Sequence, residues 1–247
     1  MVDIHSHILP GIDDGSPDIF ETLRMADMSV KSGVTKMVAT PHCNIPGRYR
    51  NYFDEDYIKL FDHVRNIFEK EGVRLELLPG MEVFVTEDVP KLIKDGKIMP
   101  INKSHYVLIE FDFNEDPDFV RYMIERIKEV NVKPLIAHAE RYHFIQRHPE
   151  MLREWKNDKI VVQMNKGSFK GRFGRGAEEI AYMALNENLV DVISSDTHGS
   201  VRRTPVMDDV FFELSLDYDE NYLNVLFNEN PGRICSDRPV LIRKSRA

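Results

Sequence analysis

Val2-Asp3-Ile4-His5-Ser6-His7 opens the chain, and Asp13-Asp14-Gly15-Ser16-Pro17 follows in the next loop. Val2-Asp3-Ile4 reads as a short β-strand. A doubly wound open sheet normally carries a Gly-rich phosphate loop after its first strand. Strand one here ends in His-Ser-His, which favours a closed parallel barrel. In an extended strand, residues i and i+2 share a face, so both imidazoles can reach one ion. One carboxylate of Asp13-Asp14-Gly15 is a candidate ligand, and the residues alone do not say which. Ser16-Pro17 reads as the N-cap and first turn of a helix that stops near Gly33.

The same grammar continues along the chain. Apolar strand-like runs lie near 2–4, 34–40, 73–84, 106–111, 133–138, 160–164 and 190–195, with helical stretches between most of them. Asp54 can cap a helix running to Gly72, and further helices fit 116–130, 148–157, 175–188 and 206–227, the last broken near Asp217–Asp219. Alternating β and α units imply a parallel sheet. About seven units fit a barrel slightly smaller than the usual eight-stranded form. No linker or repeat stands out, so a single domain over 1–247 is expected.

A parallel barrel brings its strand ends to one rim. His42 closes the run 37–41, Glu82 follows 77–81, and Glu110 closes 106–109. His138 closes 135–137, and Asp196 and His198 follow 190–195. A carboxylate after an apolar strand is costly unless paired or metal-bound. Imidazoles and carboxylates meeting at one rim read as a metal site built for hydrolysis. Arg141 would point into the same mouth, where its planar charge suits two-point contact with a phosphate. Arg202 and Arg203 follow in the last loop and can meet a phosphate too. Asn165 follows a strand and would line the pocket without binding metal. His63, His105, His143 and His148 lie away from strand ends and read as structural or solvated.

Bulk properties narrow the class. The chain has 247 residues, 42% hydrophobic and 30% charged, with a formal charge of -8 and a pI of about 5.6. That weighs against general nucleic-acid binding or an anionic membrane surface, which need a broad basic face. No apolar run is long enough for a transmembrane helix, so no direct membrane insertion is expected. The opening residues form a strand rather than a signal segment. Cys43 and Cys235 are the only cysteines, which argues against a disulfide framework and for a reducing cytoplasm. Pro41-His42-Cys43 superficially resembles the His-Cys opening of cysteine-dependent phosphatases. Their loop needs Arg six positions after Cys, and position 49 is Tyr49. Cys43 therefore reads as a partly buried thiol rather than a nucleophile.

Taken in order, the motifs resemble those of the polymerase and histidinol phosphatase (PHP) superfamily. They are the His-x-His start, Asp-Asp-Gly, Thr-Pro-His, Gly-Met-Glu, Leu-Ile-Glu-Phe, Ile-Ala-His-Ala-Glu-Arg and Ser-Asp-Thr-His. The chain is most similar to the bacterial metal-dependent protein-tyrosine phosphatases of capsule and exopolysaccharide synthesis, from Met1 to about Ile234. That resemblance implies a distorted (β/α)7 barrel and a cluster of up to three divalent ions, with manganese first and iron, zinc or cobalt as alternatives. It implies that His5, His7, Glu82 and Asp196 surround one ion. Glu82 would bridge to a second, also held by Glu110 and His138, while Asp14, His42 and His198 serve a third. Arg141 and Arg203 match the arginines that hold the substrate phosphate, and Arg202 is set second. The implied substrate is the tyrosine-rich tail of a membrane-associated tyrosine kinase. The expected reaction is hydrolysis of phosphotyrosine by attack of a metal-activated hydroxide. The alternatives are histidinol-phosphate phosphatase and, in another class, a metal-binding regulator without turnover.

Overall fold

The structure, a computed structural model, describes residues 1–241; residues 242–247 of the expected single domain lie outside the described residues. Among the described residues nine strands are formed: β1 Val2–Ser6, β2 Lys36–Ala39, β3 His42–Cys43, β4 Glu76–Pro79, β5 Glu82–Phe84, β6 Tyr106–Glu110, β7 Lys133–Ile136, β8 Val161–Asn165 and β9 Val192–Ser194. All ladder pairings between them are parallel. β1, β2 and β4 form one run, and β3, β5, β6, β7, β8 and β9 form the other.

Two of the runs read as single strands from sequence are broken. Pro41 cannot donate to a ladder, and it separates β2 from β3; Gly80-Met81 separates β4 from β5. Each pair continues one barrel stave, since β2 pairs with β4 below the break and β3 with β5 above it. The two runs therefore make seven staves. The barrel closes where β9 meets β1: Asp196 N–H donates to His5 O at 3.0 Å and His7 N–H to Thr197 O at 2.9 Å.

Alternation along the strands fills both sides of this wall. Val2, Ile4, Val38, Tyr106, Leu108, Leu135, Val161 and Val192 pack together inside, with Ile234 and Cys235 of the last helix beneath them. Met37, Val107, Ile109, Ile136, Val162, Met164 and Ile193 belong to the outer layer shared with the helices. The helix Glu55–Glu71 shows how that layer is built. Asp54 Oδ1 accepts the Asp56 and Tyr57 N–H groups, Gly72 ends the helix at φ 66°, and Tyr57, Phe61, Val64 and Phe68 form its buried stripe.

The first helix departs from the sequence reading. It spans Ile19–Lys31, and its N-cap is Asp18, whose carboxylate accepts the Glu21 N–H. Ser16 is used elsewhere: its N–H donates to His7 O at 3.0 Å, and its hydroxyl donates to Asp18 O at 2.8 Å. That ties the Asp13-Asp14-Gly15 loop to the end of β1. The last helical region breaks as read, into Asp208–Ser215 and a run that starts at Glu220, but it continues to Cys235 through a π-turn at Val225–Glu229.

Candidate metal centre

The strand ends carry the site. The β1–β2 register shifts by one between Asp3↔Met37 and Ser6↔Ala39. A bulge of this kind re-aims side chains. Ile4 packs inside the barrel, yet the next residue, His5, also turns inward and meets Glu82 at 3.2 Å. His42 and Glu82 start the upper segments β3 and β5 and are register partners. His138, Asp196 and Arg203 hold left-handed backbone at φ 34°, 49° and 50°. Such backbone costs roughly 1–2 kcal/mol for a non-glycine residue, and strain of this sort collects at functional sites. Gly15 is required for another reason: a Cβ there would lie 2.1 Å from His7 O.

All nine His, Asp and Glu side chains singled out in the sequence gather in one cluster, with Glu82 and Asp196 at its middle. The Glu82 carboxylate lies 3.2 Å from His5 Nε2, 3.2 Å from His7 Nε2, 3.0 Å from His42 Nδ1 and 2.8 Å from His138 Nε2. Asp196 Oδ1 lies 3.4 Å from His5 Nε2, 3.5 Å from His7 Nε2 and 3.6 Å from His198 Nδ1. Glu110 stands 3.5 Å from His138 Nε2 and 3.6 Å from His42 Nδ1. Asp14, rather than Asp13, faces the centre, 3.4 Å from His42 Nε2 and 3.6 Å from His198 Nε2.

By distance eight of the nine form three overlapping groups: His7, Asp14, His42 and His198; His5, His7 and Asp196; and His42, Glu82 and Glu110, with His138 beside Glu82 and Glu110. This partition differs from the one the resemblance implies, because the side chains pack as one continuous cluster in which His7 and His42 each face two groups. The donor set fits divalent metal. His5 Nε2, His7 Nε2, His42 Nδ1, Glu82 Oε2 and Asp196 Oδ1 are buried there without a hydrogen-bond partner. Leaving so many buried polar atoms orphaned is costly. Charge tells the same story. Burial, then the neighbouring Glu82 and Asp196 charges, push the Glu110 pKa well above its ordinary value. Burial, and after it Arg141, lower His138 to about 4 despite its bond to Glu82. Carboxylates crowded into one buried cluster are the arrangement a cation would relieve.

Behind this layer a second set of side chains orients the first. Asp13 Oδ2 lies 2.7 Å from His7 Nδ1 and also accepts the His42 N–H at 3.0 Å. Gln163 Oε1 lies 3.0 Å from His5 Nδ1 and accepts the His138 N–H at 3.0 Å. Asn165, expected to line the pocket, donates to Asp196 Oδ2 at 2.5 Å. Sequence reasoning passed over Gln163, although a polar residue inside the apolar run Val161–Met164, two before Asn165, was a usable signal. Asp3 was also missed; it is buried and accepts from the Ser195 N–H and hydroxyl, anchoring the turn into Asp196.

The arginines stand at the mouth. Arg203 pairs with Asp196 Oδ2 and donates to His198 Nε2 at 3.1 Å, and Arg141 Nη1 lies 3.5 Å from Asp196 Oδ2. Arg202 is exposed. Glu140 does not pair with Arg141; it accepts from the Asn165 N–H at 3.0 Å and the Ser168 hydroxyl at 2.5 Å. Cys43 lies in the core, and burial pushes its thiol up to about 12. Of the remaining histidines, His105 pairs with Asp237 at 2.6 Å, His143 with Asn114, and His148 with Glu150, all outside the centre.

A parallel barrel with imidazoles, carboxylates and two arginines at one rim is an architecture of metal-dependent hydrolases. Residues 1–236 match the family model for capsular polysaccharide synthesis, CpsB/CapC, and the chain belongs to that family. Tyrosine-protein phosphatase YwqE of Bacillus subtilis is 31% identical over 198 residues, 80% of this chain and 77% of that protein. Tyrosine-protein phosphatase CpsB of Streptococcus agalactiae is 30% identical over 243 residues, 95% of this chain and 98% of that one. A crystal structure from work on YwqE of B. subtilis and CpsB of Streptococcus pneumoniae, described as unique metal-dependent tyrosine phosphatases, is also similar. It has a TM-score of 0.90 and 27% identity, covering 98% of this chain and 97% of that one. The fold is thus of the PHP type that the motifs suggested.

Proposed function

We propose that this chain is a metal-dependent protein-tyrosine phosphatase of the capsular polysaccharide family. The observation that carries the reading is the set of buried, unpartnered ligand atoms around Glu82 and Asp196, set beside Arg141 and Arg203. In this reading His5, His7, Asp14, His42, Glu82, Glu110, His138, Asp196 and His198 hold up to three divalent ions, manganese first. Bound ions of this kind activate water at neutral pH and neutralise phosphoryl oxygens.

The chain's own residues do the rest. Arg141 and Arg203 both lie against Asp196 Oδ2 and keep guanidinium donors where a phosphate would enter. Fixed donors aimed at developing charge are an effective way to stabilise a transition state. Asp13 and Gln163 hold the Nδ1 sides of His7 and His5, leaving each Nε2 turned to the centre. The phenolate leaving group has a conjugate acid of pKa about 10, so departure needs little help from a general acid. No covalent intermediate is required, and the buried Cys43 thiol supplies none.

The substrate we assign is the tyrosine-rich tail of a membrane-associated tyrosine kinase, met in the cytoplasm. Among the described residues no helix is long and apolar enough to cross a membrane, so contact with the membrane would come through that partner. The test is phosphate release from a tyrosine-phosphorylated peptide and, beside it, from histidinol phosphate. Both are run with and without manganese, for the wild type and His138→Ala. Manganese-dependent release from the peptide that collapses in His138→Ala is expected. Release from histidinol phosphate alone would replace the substrate, and silence on both would leave a metal-binding regulator.

A further inference from the structure

An open hollow of about 340 Å³ is lined by Arg141, Phe113, Phe173, Gly174, Gly176 and Ala177, and by none of the candidate ligands. That is near the small end of ligand clefts, which run roughly 300–1,000 Å³. The Arg141 guanidinium carbon lies 4.6 Å from the Phe113 ring centre and 4.3 Å from that of Phe173, and Arg203 lies 5.7 Å from the Phe173 ring. The Phe113 ring is 5.9 Å from the His138 ring. Both rings thus lie against Arg141, with Phe173 near Arg203 and Phe113 near His138, and both stay only partly buried.

We propose that this hollow seats the phenyl ring of the substrate, and that it makes the centre selective for aryl over alkyl phosphates. The inference rests on the phosphatase reading and adds the element that reads the group carrying the phosphate. A phosphate held by Arg141 and Arg203 leaves its ester oxygen one bond from the group that must lie nearby. The rings beside those arginines offer that group edge and face contacts of the sort aromatic pairs adopt. Gly174 and Gly176 add no side chain to this lining, and a Cβ at Gly176 would displace the end of the Gln146 side chain, 2.6 Å away. An alkyl phosphate such as phosphoserine would fill none of this space.

The test compares binding of phenylphosphonate and methylphosphonate to the manganese-loaded protein by calorimetry, together with turnover of a phosphotyrosine peptide. The wild type should prefer phenylphosphonate by about tenfold. Phe173→Leu and Phe113→Leu should narrow that ratio to about twofold, leave methylphosphonate affinity in place, and raise KM for the peptide more than they lower kcat. Phe173→Tyr, which keeps a ring, should restore the preference. Equal weakening of both phosphonates in the Leu variants would mean that the rings only hold Arg141, and would overturn the proposal. So would a wild type that does not discriminate. A wild type that discriminates between the phosphonates but releases phosphate from no substrate would overturn the phosphatase reading and leave the aryl seat standing.

Discussion

Replacing Asp13 by Asn should weaken metal binding without touching a ligand. Asp13 Oδ2 serves His7 Nδ1 at 2.7 Å and the His42 N–H at 3.0 Å, while Oδ1 accepts the Gly15 N–H at 2.9 Å. Burial pushes this carboxyl up, but His7 and the surrounding donors outweigh it and bring the pKa down to about 2. Asp13 is therefore ionised throughout the working range. An anion at Nδ1 fixes the tautomer that presents a lone pair at Nε2 and makes that nitrogen a stronger ligand. Asn has the same shape but only one acceptor oxygen. Its amide nitrogen must oppose either the Gly15 N–H or the pair of donors from His7 and His42. A hydrogen bond to a charged group is worth roughly 1.5–3 kcal/mol. Loss of such a partner behind a ligating histidine typically costs about 10–100-fold in metal affinity or activity. Asp13→Asn should thus raise the half-saturating manganese concentration for peptide dephosphorylation by about 10–100-fold. Activity at saturating metal should recover most of the way. A folded Asp13→Asn protein with an unchanged manganese titration would refute the reasoning.

Three further outcomes are expected. Stripping divalent metal with a chelator should abolish turnover and lower the melting temperature by several degrees, both restored by manganese. A ligand held at a hundred times its Kd contributes about 2.7 kcal/mol to the folded state, and each kcal/mol shifts Tm by roughly 2–4 °C at this chain length. Iodoacetamide at pH 8 should leave turnover intact, and Cys43→Ser should stay active, because a buried thiol pushed up to about 12 carries almost no thiolate there; rapid inactivation by alkylation of Cys43 would contradict this. Lys156→Met should cost about 3–5 kcal/mol in urea unfolding, with activity per folded molecule unchanged. It leaves the buried Asp191 carboxylate without its cation.

Local rules carried far in this chain. Alternation of apolar runs and helical stretches made a parallel barrel legible, because hydrophobic period and turn residues are properties of neighbouring positions. Asp54 and Gly72 bound their helix as read. Ser16 did not cap the first helix, because the loop folds back onto β1 and the Ser16 hydroxyl is taken by Asp18 O and Thr22, leaving the cap to the Asp18 carboxylate. The break of stave three at Gly80-Met81 also escaped the pattern. Below the break, β4 meets β2 and lies near the short turn Ile101–Lys103 rather than against β6, and apolar periodicity does not record which neighbour is missing.

The same division runs through the site. That His5, His7, His42, Glu82, Glu110, His138, Asp196 and His198 would sit at one rim follows from sequence, since each lies at a strand end and parallel strands end on one side. Which of them face each other does not. Asp14 rather than Asp13, Glu140 turned to Ser168 instead of Arg141, the bulge that brings both Ile4 and His5 inward, and the left-handed turns at His138 and Asp196 were decided by tertiary structure. Phe113 and Phe173 meet Arg141 from distant loops in the same way. Position along a strand is set by local covalent geometry. Contact between residues far apart in the chain is set by register, closure and the shared burial of charge, which exist only once the barrel is complete.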